Sequence, residues 1–325
     1  MKKLVSIIIP TKNRPKLLVE SVKSALNQTY QYTELIVVDD GSDIHPSKIL
    51  NKVNKLAIYD NQFKGAASAK NTGIINSKGE IIVFLDDDDK LAPESIEKIV
   101  SIFTKNHNVN IIFMLYDFFG KYSKEAKKSN DEQVKAILKK SRSAKKICMK
   151  VYLTSKTLFK YLVITTPLPF QNPAVRREAL EKIGMFDVDF KLLWDVDWTL
   201  RAALTTKSVI TLERLKKMRV DGQNSITRGD RLADRENEFK CILQKLKALT
   251  ENHPDKSFHQ AVSKRLSGIY YQESISFKEN KIKTFWSNLK AMYYYFEFRQ
   301  VKLIAKLFVP KYFYRYLKYI YKIVT

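Results

Sequence analysis

The sequence predicts an α/β fold, in which a doubly wound, mainly parallel sheet is followed by a C-terminal helical extension. Two observations lead to this prediction. Over the first 117 residues, apolar runs typical of buried strands alternate with helical patterns, and from about Gly229 onward the pattern is helical. The βαβαβ order implies parallel strands, because each crossover helix returns the chain to the same end of the sheet.

The predicted elements of the first part follow one another at short intervals. Leu4–Ile9 is a continuous apolar run, as expected for a strand covered on both faces. A helix then begins near Asn13 and Pro15 and ends near Asn27, since asparagine caps helices and proline fits their first turn. The remaining predicted elements are strands at Glu34–Val38, Lys55–Tyr59, Glu80–Leu85 and Asn110–Tyr116 and helices at Gly65–Asn76 and Pro93–Lys105.

The second part has a weaker pattern. Residues 118–165 are rich in lysine, which predicts helical excursions over the sheet. The predicted elements that follow are helices at Arg177–Ile183 and Leu193–Arg201 and strands at Ser208–Leu212 and Lys217–Val220. The C-terminal helices are interrupted at His253-Pro254 and at Pro310, because proline ends a helix.

The positive charge is concentrated in the second part. Of the net formal charge of +24, residues 1–120 contribute only +1 (15 basic and 14 acidic side chains), so residues 121–325 carry the remaining +23. This concentration of positive charge indicates an anionic partner, either nucleic acid or a membrane. No apolar run approaches the roughly 20 residues that a spanning helix needs. Cys148 and Cys241 are too few for a disulfide framework and predict reduced thiols in the cytoplasm.

Three predicted strands end in polar or acidic tips, namely Pro10–Asn13, Asp39-Asp40 and Asp86–Asp89. Ligands bind outside the carboxyl ends of parallel strands, so we expect the three tips to meet at one edge and form a site. Four adjacent carboxylates repel one another unless a cation intervenes, and hard oxygen ligands suit Mg²⁺ or Mn²⁺. The alternative is a solvated acidic loop that caps the next helix. No phosphate-binding glycine loop is present, so a metal is needed to neutralise a diphosphate.

Five segments follow one another in the sequence, namely Val5–Arg14, Glu34–Ser42, Ala69–Gly73, Gly79–Asp89 and Trp194–Asp197. Taken in this order, they resemble the motifs of family 2 glycosyltransferases, which have the A-type glycosyltransferase fold, a Rossmann-like fold. The resemblance implies an inverting transfer of a sugar from a nucleoside diphosphate to an acceptor hydroxyl, assisted by Mn²⁺ or Mg²⁺.

The resemblance also implies how the chain is divided. We expect a glycosyltransferase catalytic domain over residues 1–225, in which 1–117 form the nucleotide-binding part and 118–225 the acceptor part. A basic, aromatic helical region is expected over residues 226–325.

Individual residues receive roles from the same resemblance. Asp195 matches the candidate general base, and Asp86 and Asp88 match the Asp-x-Asp pair and are the implied metal ligands. Asp40 matches the carboxylate that accepts from the imide N–H of the base, a contact that favours uracil or thymine, and we expect UDP as the donor nucleotide. The residues implied to bind the nucleotide or the donor sugar are Pro10, Thr11, Asn13, Arg14, Asp39, Asp40, Lys70, Asp86, Asp87 and Arg219.

Several residues depart from the family pattern. Lys12 stands where the family often has Tyr, Lys70 where it usually has Arg, and Trp194 replaces the Glu of a Glu-Asp pair. No Gln-x-x-Arg-Trp signature follows, which argues against a processive polymerase. Asp195 has a second interpretation as a helix N-cap, and Asp221–Thr227 is either a loop over the donor diphosphate or an ordinary surface turn.

The aromatic and basic C-terminal segment predicts contact with an anionic membrane. Residues 281–325 contain ten Lys and Arg against the single acid Glu297, and 14 of the 38 aromatic residues. After Pro310, four basic residues recur at steps of four, three and four, opposite an aromatic and aliphatic stripe. Such a helix suits the inner face of the cell membrane. The alternative is an aromatic stripe packed on the catalytic domain.

The leading hypothesis is therefore a metal-assisted inverting glycosyltransferase that acts on a surface polysaccharide or a lipid-linked oligosaccharide. The alternatives are a non-catalytic nucleotide-sugar-binding or scaffold protein and, less favoured, a basic nucleic-acid-binding protein. Asp86–Asp89 would repel nucleic-acid phosphates and no nucleic-acid motif is present, so we expect no such partner. The four histidines are scattered without ligand spacing, which argues against a zinc site.

Overall fold

The computed structural model describes residues 2–51, 55–140, 145–147, 150–152, 155–165, 172–221, 232–277, 280–297, 299–301 and 303–304. The strands within them are β1 (Val5–Thr11), β2 (Thr33–Asp39), β3 (Leu56–Asp60), β4 (Ile81–Phe84), β5 (Lys90–Leu91), β6 (Ile111–Phe119), β7 (Lys145–Ile147), β8 (Lys150–Tyr152), β9 (Ala174–Arg176) and β10 (Ser208–Arg219). The α-helices are α1 (Pro15–Leu26), α2 (Ala66–Asn76), α3 (Ser95–Lys105), α4 (Ser123–Lys140), α5 (Ser155–Thr165), α6 (Leu180–Ile183), α7 (Trp194–Thr205), α8 (Leu232–Glu251), α9 (Lys256–Ser276) and α10 (Lys281–Tyr294).

These strands form one mixed sheet in the order β3-β2-β1-β4-β9-β6-β10-β8-β7, and β5 pairs with β10. The longest pairings are parallel, namely β1 with β2, β2 with β3 and β6 with β10. The short strand β9 lies antiparallel between β4 and β6. The predicted fold class, a mainly parallel α/β sheet with a helical C-terminal region, is confirmed.

The register brings the carboxyl ends of the first strands to one edge. Thr11 of β1 lies opposite Asp39 of β2, which in turn lies opposite Asp60 of β3. Ile8 pairs with Phe84, so the acidic loop after β4 begins beside the end of β1. The polar tips of these strands therefore share one edge, as expected from parallel pairing.

Strand β1 is covered on both faces, which explains its continuous apolar sequence. Ile7 and Ile9 belong to the same core cluster as Leu18 of α1. Ile8 faces α2, where a Cβ on Gly73 would lie 2.3 Å from Cγ2 of Ile8. Only glycine permits this close approach, which sets the distance of α2 from the sheet.

Two predictions for the second part are wrong in detail. The predicted strands Ser208–Leu212 and Lys217–Val220 are one strand, β10, whose register with β6 shifts between Thr211 and Lys216. These irregularities place polar side chains in the middle of β10, so the alternation of apolar and polar residues does not predict one continuous strand. Residues 118–165 contain the predicted helices α4 and α5 but also the antiparallel strands β7 and β8, of which β8 pairs with β10.

The chain falls into two compact units, Met1–Arg235 and Glu236–Thr325. The predicted boundary at 225 and the division into a nucleotide and an acceptor part stay predictions. The helical pattern is interrupted between α8 and α9, at His253-Pro254, as predicted.

Among the described helices, none combines the length and apolar character needed to cross a membrane. Cys241 is an exposed free thiol. Cys148, the break at Pro310 and the stripe after it lie outside the described residues.

Candidate active site

The acidic loop after β4 meets the end of β1. Asp87 and Asp89 are buried, whereas the side chains of Asp86 and Asp88 are partly exposed. Oγ1 of Thr11, the last residue of β1, donates a hydrogen bond to Oδ2 of Asp87 at 2.7 Å. Because the loop packs against the sheet edge, it is not simply a solvated acidic segment.

Arg14, just before α1, bridges two of these carboxylates. Its Nη1 lies 3.0 Å from Oδ1 of Asp87 and 2.9 Å from Oδ2 of Asp88. Burial opposes the charge of Arg14, but Asp87 and Asp88 hold its pKa above the usual value. Burial and the charge of Asp86 nevertheless raise the pKa of Asp88 to about 6, against the effect of Arg14. The positive charge of Arg14 therefore offsets the negative charge of this loop only in part.

Asp86 is oriented by two side chains from distant parts of the sequence. Nζ of Lys70, in α2, lies 3.2 Å from Oδ1 of Asp86, and Nδ2 of Asn172 donates to Oδ2 of Asp86 at 2.7 Å. Lys70 also donates to Oδ1 of Asn172. Burial opposes the charge of Asp86, but Lys70 and Asn172 hold its pKa below the usual value. Asp86 is therefore an ionised carboxylate in a fixed orientation.

Lys216 supports the backbone around this group. It is fully buried in β10, and its Nζ donates to the backbone oxygens of Phe84 and Asn172. Burial lowers the pKa of Lys216 to about 7, although Asp86 and Asp89 oppose the shift. Lys216 thus joins the end of β4 to Asn172, which lies two residues before β9.

Asp195 lies at the beginning of α7, as predicted. Leu193 occupies the N-cap position, and Oδ1 of Asp195 accepts from the backbone N–H of Val196 at 2.9 Å, so the N-cap interpretation of Asp195 is wrong. Burial raises the pKa of Asp195, Lys70 opposes that shift, and Asp86 adds to it. Asp195, Lys70 and Asp86 therefore interact electrostatically with one another.

Aromatic side chains hold α7 beside α2. Nζ of Lys70 lies 4.4 Å from the ring centroid of Trp194, and the ring of Phe186 stacks on Trp198 at 5.0 Å. Asn71 and Phe186 exchange two hydrogen bonds of 2.9 Å, from the Asn71 side chain to the Phe186 backbone and back. These contacts fix the position of Lys70 relative to the first turn of α7.

The tips of β1 and β2 form the other side of the edge. Both carboxylate oxygens of Asp39 accept from Ser42, through its backbone N–H and its hydroxyl. Oδ1 of Asp40 accepts from Nδ2 of Asn61 at 2.6 Å, and the backbone N–H of Asp40 donates to the carbonyl of Thr11 at 2.9 Å. Asp40 is thus held beside the strand end that contacts Asp87.

Pro10 and Asn13 shape the loop between β1 and α1. Pro10 pairs with Val38 in the sheet. Asn13 adopts a left-handed backbone conformation (φ 54°), in which its N–H donates to Oγ of Ser42 and its Oδ1 accepts from the N–H of Asp43. Asparagine tolerates this conformation better than most residues. The loop is therefore tied to the tip of β2.

Arg219 ends β10 beside the acidic loop. Its backbone N–H donates to Oδ1 of Asp89 at 3.1 Å, and its Nη2 lies 2.7 Å from Oε2 of Glu20 in α1. Its guanidinium lies 4.6 Å from the ring centroid of Phe119. Arg219 thus contacts α1 and Asp89. Of the predicted loop over the diphosphate, Asp221–Thr227, residues 222–227 lie outside the described residues.

The family model described as Glycosyl transferase family 2 matches residues 6–184, more than half of the chain. The chain belongs to glycosyl transferase family 2. It is a transferase enzyme. An uncharacterized glycosyltransferase of Rickettsia typhi is 31% identical to it over 246 residues, which is 75% of this chain and 72% of the relative.

Solved structures share the fold of this family 2 glycosyltransferase. S. aureus TarS 1-349 has a TM-score of 0.62 at 14% identity, covering 89% of this chain and 80% of that chain. Its complex with UDP-GlcNAc has a TM-score of 0.60 at 15% identity, over 93% and 79% of the two chains. A mannosyltransferase from Pyrobaculum calidifontis, in complex with GDP-Man and Mn²⁺, has a TM-score of 0.55 at 18% identity, over 96% and 82%.

Two groups of side chains in this glycosyltransferase have the donor chemistry for a divalent cation. Asp86 and Asp88 offer hard oxygens, and the raised pKa of Asp88 fits a position where a cation would offset repulsion. The second group is Asp39, His45 and Asp60, whose ligand atoms lie within 4.8 Å of one another. It is the one cluster of three potential ligands in the described part of the chain. Sequence spacing gave no sign of it, because His45 meets the two strand ends only in the fold.

Three residues at this edge of the glycosyltransferase escaped the sequence analysis as site residues. Asn172 precedes a three-residue strand too short for a pattern, and Lys216 follows a register shift. Tyr116 is fully buried in β6, and burial, together with Asp89 and Asp86, raises its pKa well above the usual value. For Tyr116, the signal in the sequence is a polar side chain within an otherwise apolar run. The roles implied for the predicted site residues stay predictions.

Proposed function

We propose that this glycosyltransferase moves a sugar from a UDP-sugar to a hydroxyl group of a saccharide or lipid-linked saccharide, with inversion at the anomeric carbon. The observation that carries the proposal is the position of Lys70, whose Nζ lies 3.2 Å from Oδ1 of Asp86 and 4.4 Å from the ring centroid of Trp194, the residue before Asp195. A metal-binding carboxylate and a candidate base at one sheet edge are what this transfer requires.

The donor side of the proposal uses the tips of β1 and β2. Asp40 would accept from the imide N–H of uracil, and Pro10, Thr11, Asn13 and Asp39 would line the nucleoside. The close link between Asp40 and Thr11 supports a common binding surface. The bound UDP-GlcNAc in the TarS complex supports a nucleotide-sugar donor for a protein of this fold.

Asp88 and Asp86 would hold Mn²⁺ or Mg²⁺ in this proposal. A bound cation supplies neutralisation of the charge that develops on the departing diphosphate. Lys70 keeps Asp86 ionised, Arg14 contacts Asp88, and both cations would add positive charge near the diphosphate. Asp87 would contact the donor sugar, and Arg219 the diphosphate.

Asp195 would act as the general base. Its carboxylate takes the proton of the acceptor hydroxyl while the hydroxyl oxygen forms a bond to the anomeric carbon. The bond from that carbon to the diphosphate oxygen breaks, and its electron pair leaves with UDP. Burial raises the pKa of Asp195, which makes it a better proton acceptor than a solvated carboxylate.

The test compares three variants of the full chain. Asp195→Asn removes the base and is expected to abolish sugar release or transfer while UDP binding with Mn²⁺ persists by calorimetry. Asp88→Asn should lose both sugar transfer and Mn²⁺-dependent UDP binding. The exposed Asp189 gives a matched control, Asp189→Asn, that should behave as the unmodified protein.

Two outcomes would contradict the proposal. Full turnover by Asp195→Asn would show that Asp195 is not the general base. Nucleotide-sugar binding without turnover of any donor would favour a non-catalytic binding or scaffold role. A panel of nucleoside diphosphate sugars, scored by Mn²⁺-dependent hydrolysis and thermal shift, would identify the donor.

The proposal also places the enzyme in the cell. A saccharide acceptor of a surface polysaccharide or lipid-linked oligosaccharide would be built at the inner face of the cell membrane, on the cytoplasmic side. The ten basic residues of 281–325 support contact with its anionic surface. No nucleic-acid partner is part of the proposal.

A further inference from the structure

Helix α10 has an exposed apolar face. Ile282, Trp286 and Tyr293 are 71%, 60% and 78% exposed. At 100° per residue they lie within about 40° of one another around the helix axis. Half-buried Leu289 falls on the same face. Large apolar side chains grouped in this way on a surface mark an interaction site.

The opposite face of α10 is buried although it is polar or small. Thr284, Asn288 and Ala291 are 4%, 0% and 0% exposed. Oγ1 of Thr284 donates to the carbonyl of Phe277 at 2.9 Å, and Nδ2 of Asn288 donates to the carbonyl of Gln300 at 2.6 Å. Hydrogen bonds therefore hold the inner face, while the hydrophobic residues point outward. This reverses the usual arrangement of a surface helix.

Lysines flank the exposed face on both sides. Lys281 lies about 100° to one side of Ile282, and Lys283 and Lys290 lie about 80–100° to the other. All three are exposed, and the helix has no acidic residue. Nζ of Lys247, in α8, lies 5.5 Å from the ring centroid of Tyr293. The apolar face is thus surrounded by positive charge.

We propose that this face of α10 docks on an anionic lipid surface, with its axis parallel to the membrane plane. Ile282, Trp286 and Tyr293 would enter the boundary between headgroups and acyl chains, and the flanking lysines would reach the phosphates. A helix of 14 residues is about 21 Å long, which suits a position in the interface and not across the bilayer.

The charge pattern favours lipid over a protein partner. Interfaces between proteins are depleted in lysine, whereas lysine next to tryptophan and tyrosine is the composition of a membrane interface. Residues 281–325 have ten basic side chains and one acidic one, which complements an anionic surface. The inference deepens the membrane contact proposed above for 281–325 and does not depend on sugar transfer.

The experiment measures binding of the full chain to vesicles of phosphatidylglycerol and phosphatidylcholine by co-sedimentation. Anionic vesicles should bind the protein, and high salt should weaken binding. The double variant Ile282→Ser with Trp286→Ser should bind at least roughly tenfold more weakly, since it loses the buried apolar area. Changing Lys281, Lys283 and Lys290 together to Gln should weaken binding on the order of 100-fold, at about fivefold per lysine.

Matched controls come from exposed residues of the other compact unit. Ile75→Ser replaces an aliphatic side chain that is 70% exposed, and Gln at Lys23, Lys105 and Lys182 removes three exposed lysines. Both controls should bind vesicles as the unmodified protein does. Thermal unfolding and UDP binding, measured without vesicles, should be the same in every variant.

Tryptophan fluorescence locates the contact. The chain has three tryptophans, of which Trp194 is half-buried and Trp198 is buried. Anionic vesicles should shift the emission to shorter wavelength, and Trp286→Phe should remove the shift while binding persists.

Each result decides a separate claim. No binding of the unmodified protein to anionic vesicles would overturn both the proposed membrane contact and the docking face. Equal binding by the α10 variants and the unmodified protein would overturn the docking face alone. UDP binding in the same samples reports separately on the proposed sugar transfer.

Discussion

Nδ2 of Asn172 donates a hydrogen bond to Oδ2 of Asp86 at 2.7 Å, across 86 positions of sequence. The contact follows from the antiparallel pairing of β9 with β4, in which Ala174 lies opposite Val83. This pairing carries Asn172, two residues before β9, to the carboxyl end of β4. The side chain that orients the candidate metal ligand thus comes from a strand that runs against the main direction of the sheet.

Replacing Asn172 by Ala is expected to weaken UDP binding in the presence of Mn²⁺ by about 10–100-fold, because Asp86 loses a partner that fixes its carboxylate. Calorimetry with and without Mn²⁺ measures this effect. Asn76→Ala is the control, since Asn76 makes one hydrogen bond to the backbone of Thr72 at the far end of α2. Equal affinity in both variants would show that Asn172 has no role in orienting Asp86.

Asp88→Asn is expected to stabilise the cation-free protein above pH 6. The folded-state pKa of Asp88 is about 6, above the usual 3.8, so the unfolded chain loses the proton first and stability falls as the pH rises between about 4 and 6. Partial exposure limits the gain to about 1 kcal/mol, or 2–4 °C in Tm.

Thermal unfolding at pH 7.5 in EDTA and in Mn²⁺ measures this difference. Mn²⁺ should raise the Tm of the unmodified protein and should leave that of Asp88→Asn almost unchanged. The exposed Asp189 supplies the control Asp189→Asn, which should follow the unmodified protein. A lower Tm for Asp88→Asn in EDTA would contradict the assignment of net repulsion at this loop.

His45→Ala distinguishes the two candidate cation sites. His45 contacts Asp60 at 3.1 Å in a partly exposed position, so its removal should change stability by less than about 0.5 kcal/mol. If Asp86 and Asp88 hold the cation, Mn²⁺-dependent UDP binding by His45→Ala should equal that of the unmodified protein. If His45→Ala loses this binding and Asp88→Asn retains it, the cation site is the group of Asp39, His45 and Asp60.

Strand tips explain why much of the site was predictable. Apolar runs that end in Asp39-Asp40 and Asp86–Asp89 identify both the strands and their carboxyl ends, and parallel pairing then places the tips together. Contacts such as that of Thr11 with Asp87 follow from this local pattern and from one rule of topology.

The remaining contacts depend on pairings that no local pattern specifies. Strand β9 has only three residues, so nothing in its sequence predicts its insertion between β4 and β6 or the contact of Asn172 with Asp86. In β10, register shifts before Lys216 interrupt the alternation from which a strand is predicted. His45 reaches Asp60 only because β2 and β3 are adjacent.

Lys216→Met is expected to change how stability depends on pH. The pKa of Lys216 is about 7 in the folded protein and near 10.5 when unfolded, so between pH 7 and 10.5 the unfolded chain binds the proton more tightly. The stability of the unmodified protein therefore gains a contribution that increases with pH across this range, amounting to a few kcal/mol. Methionine lacks that contribution, although the lost hydrogen bonds to Phe84 and Asn172 lower its stability at every pH.

Urea unfolding at intervals from pH 7 to 10 gives the difference in stability between the unmodified protein and Lys216→Met. This difference should widen as the pH rises, whereas the control Lys105→Met, at an exposed position, should show a constant difference. Parallel curves for Lys216→Met would mean that the buried ammonium keeps its proton throughout. Asp86 and Asp89 would then compensate its burial fully, and the network that joins Lys216 to Asn172 would be ionic over the whole range.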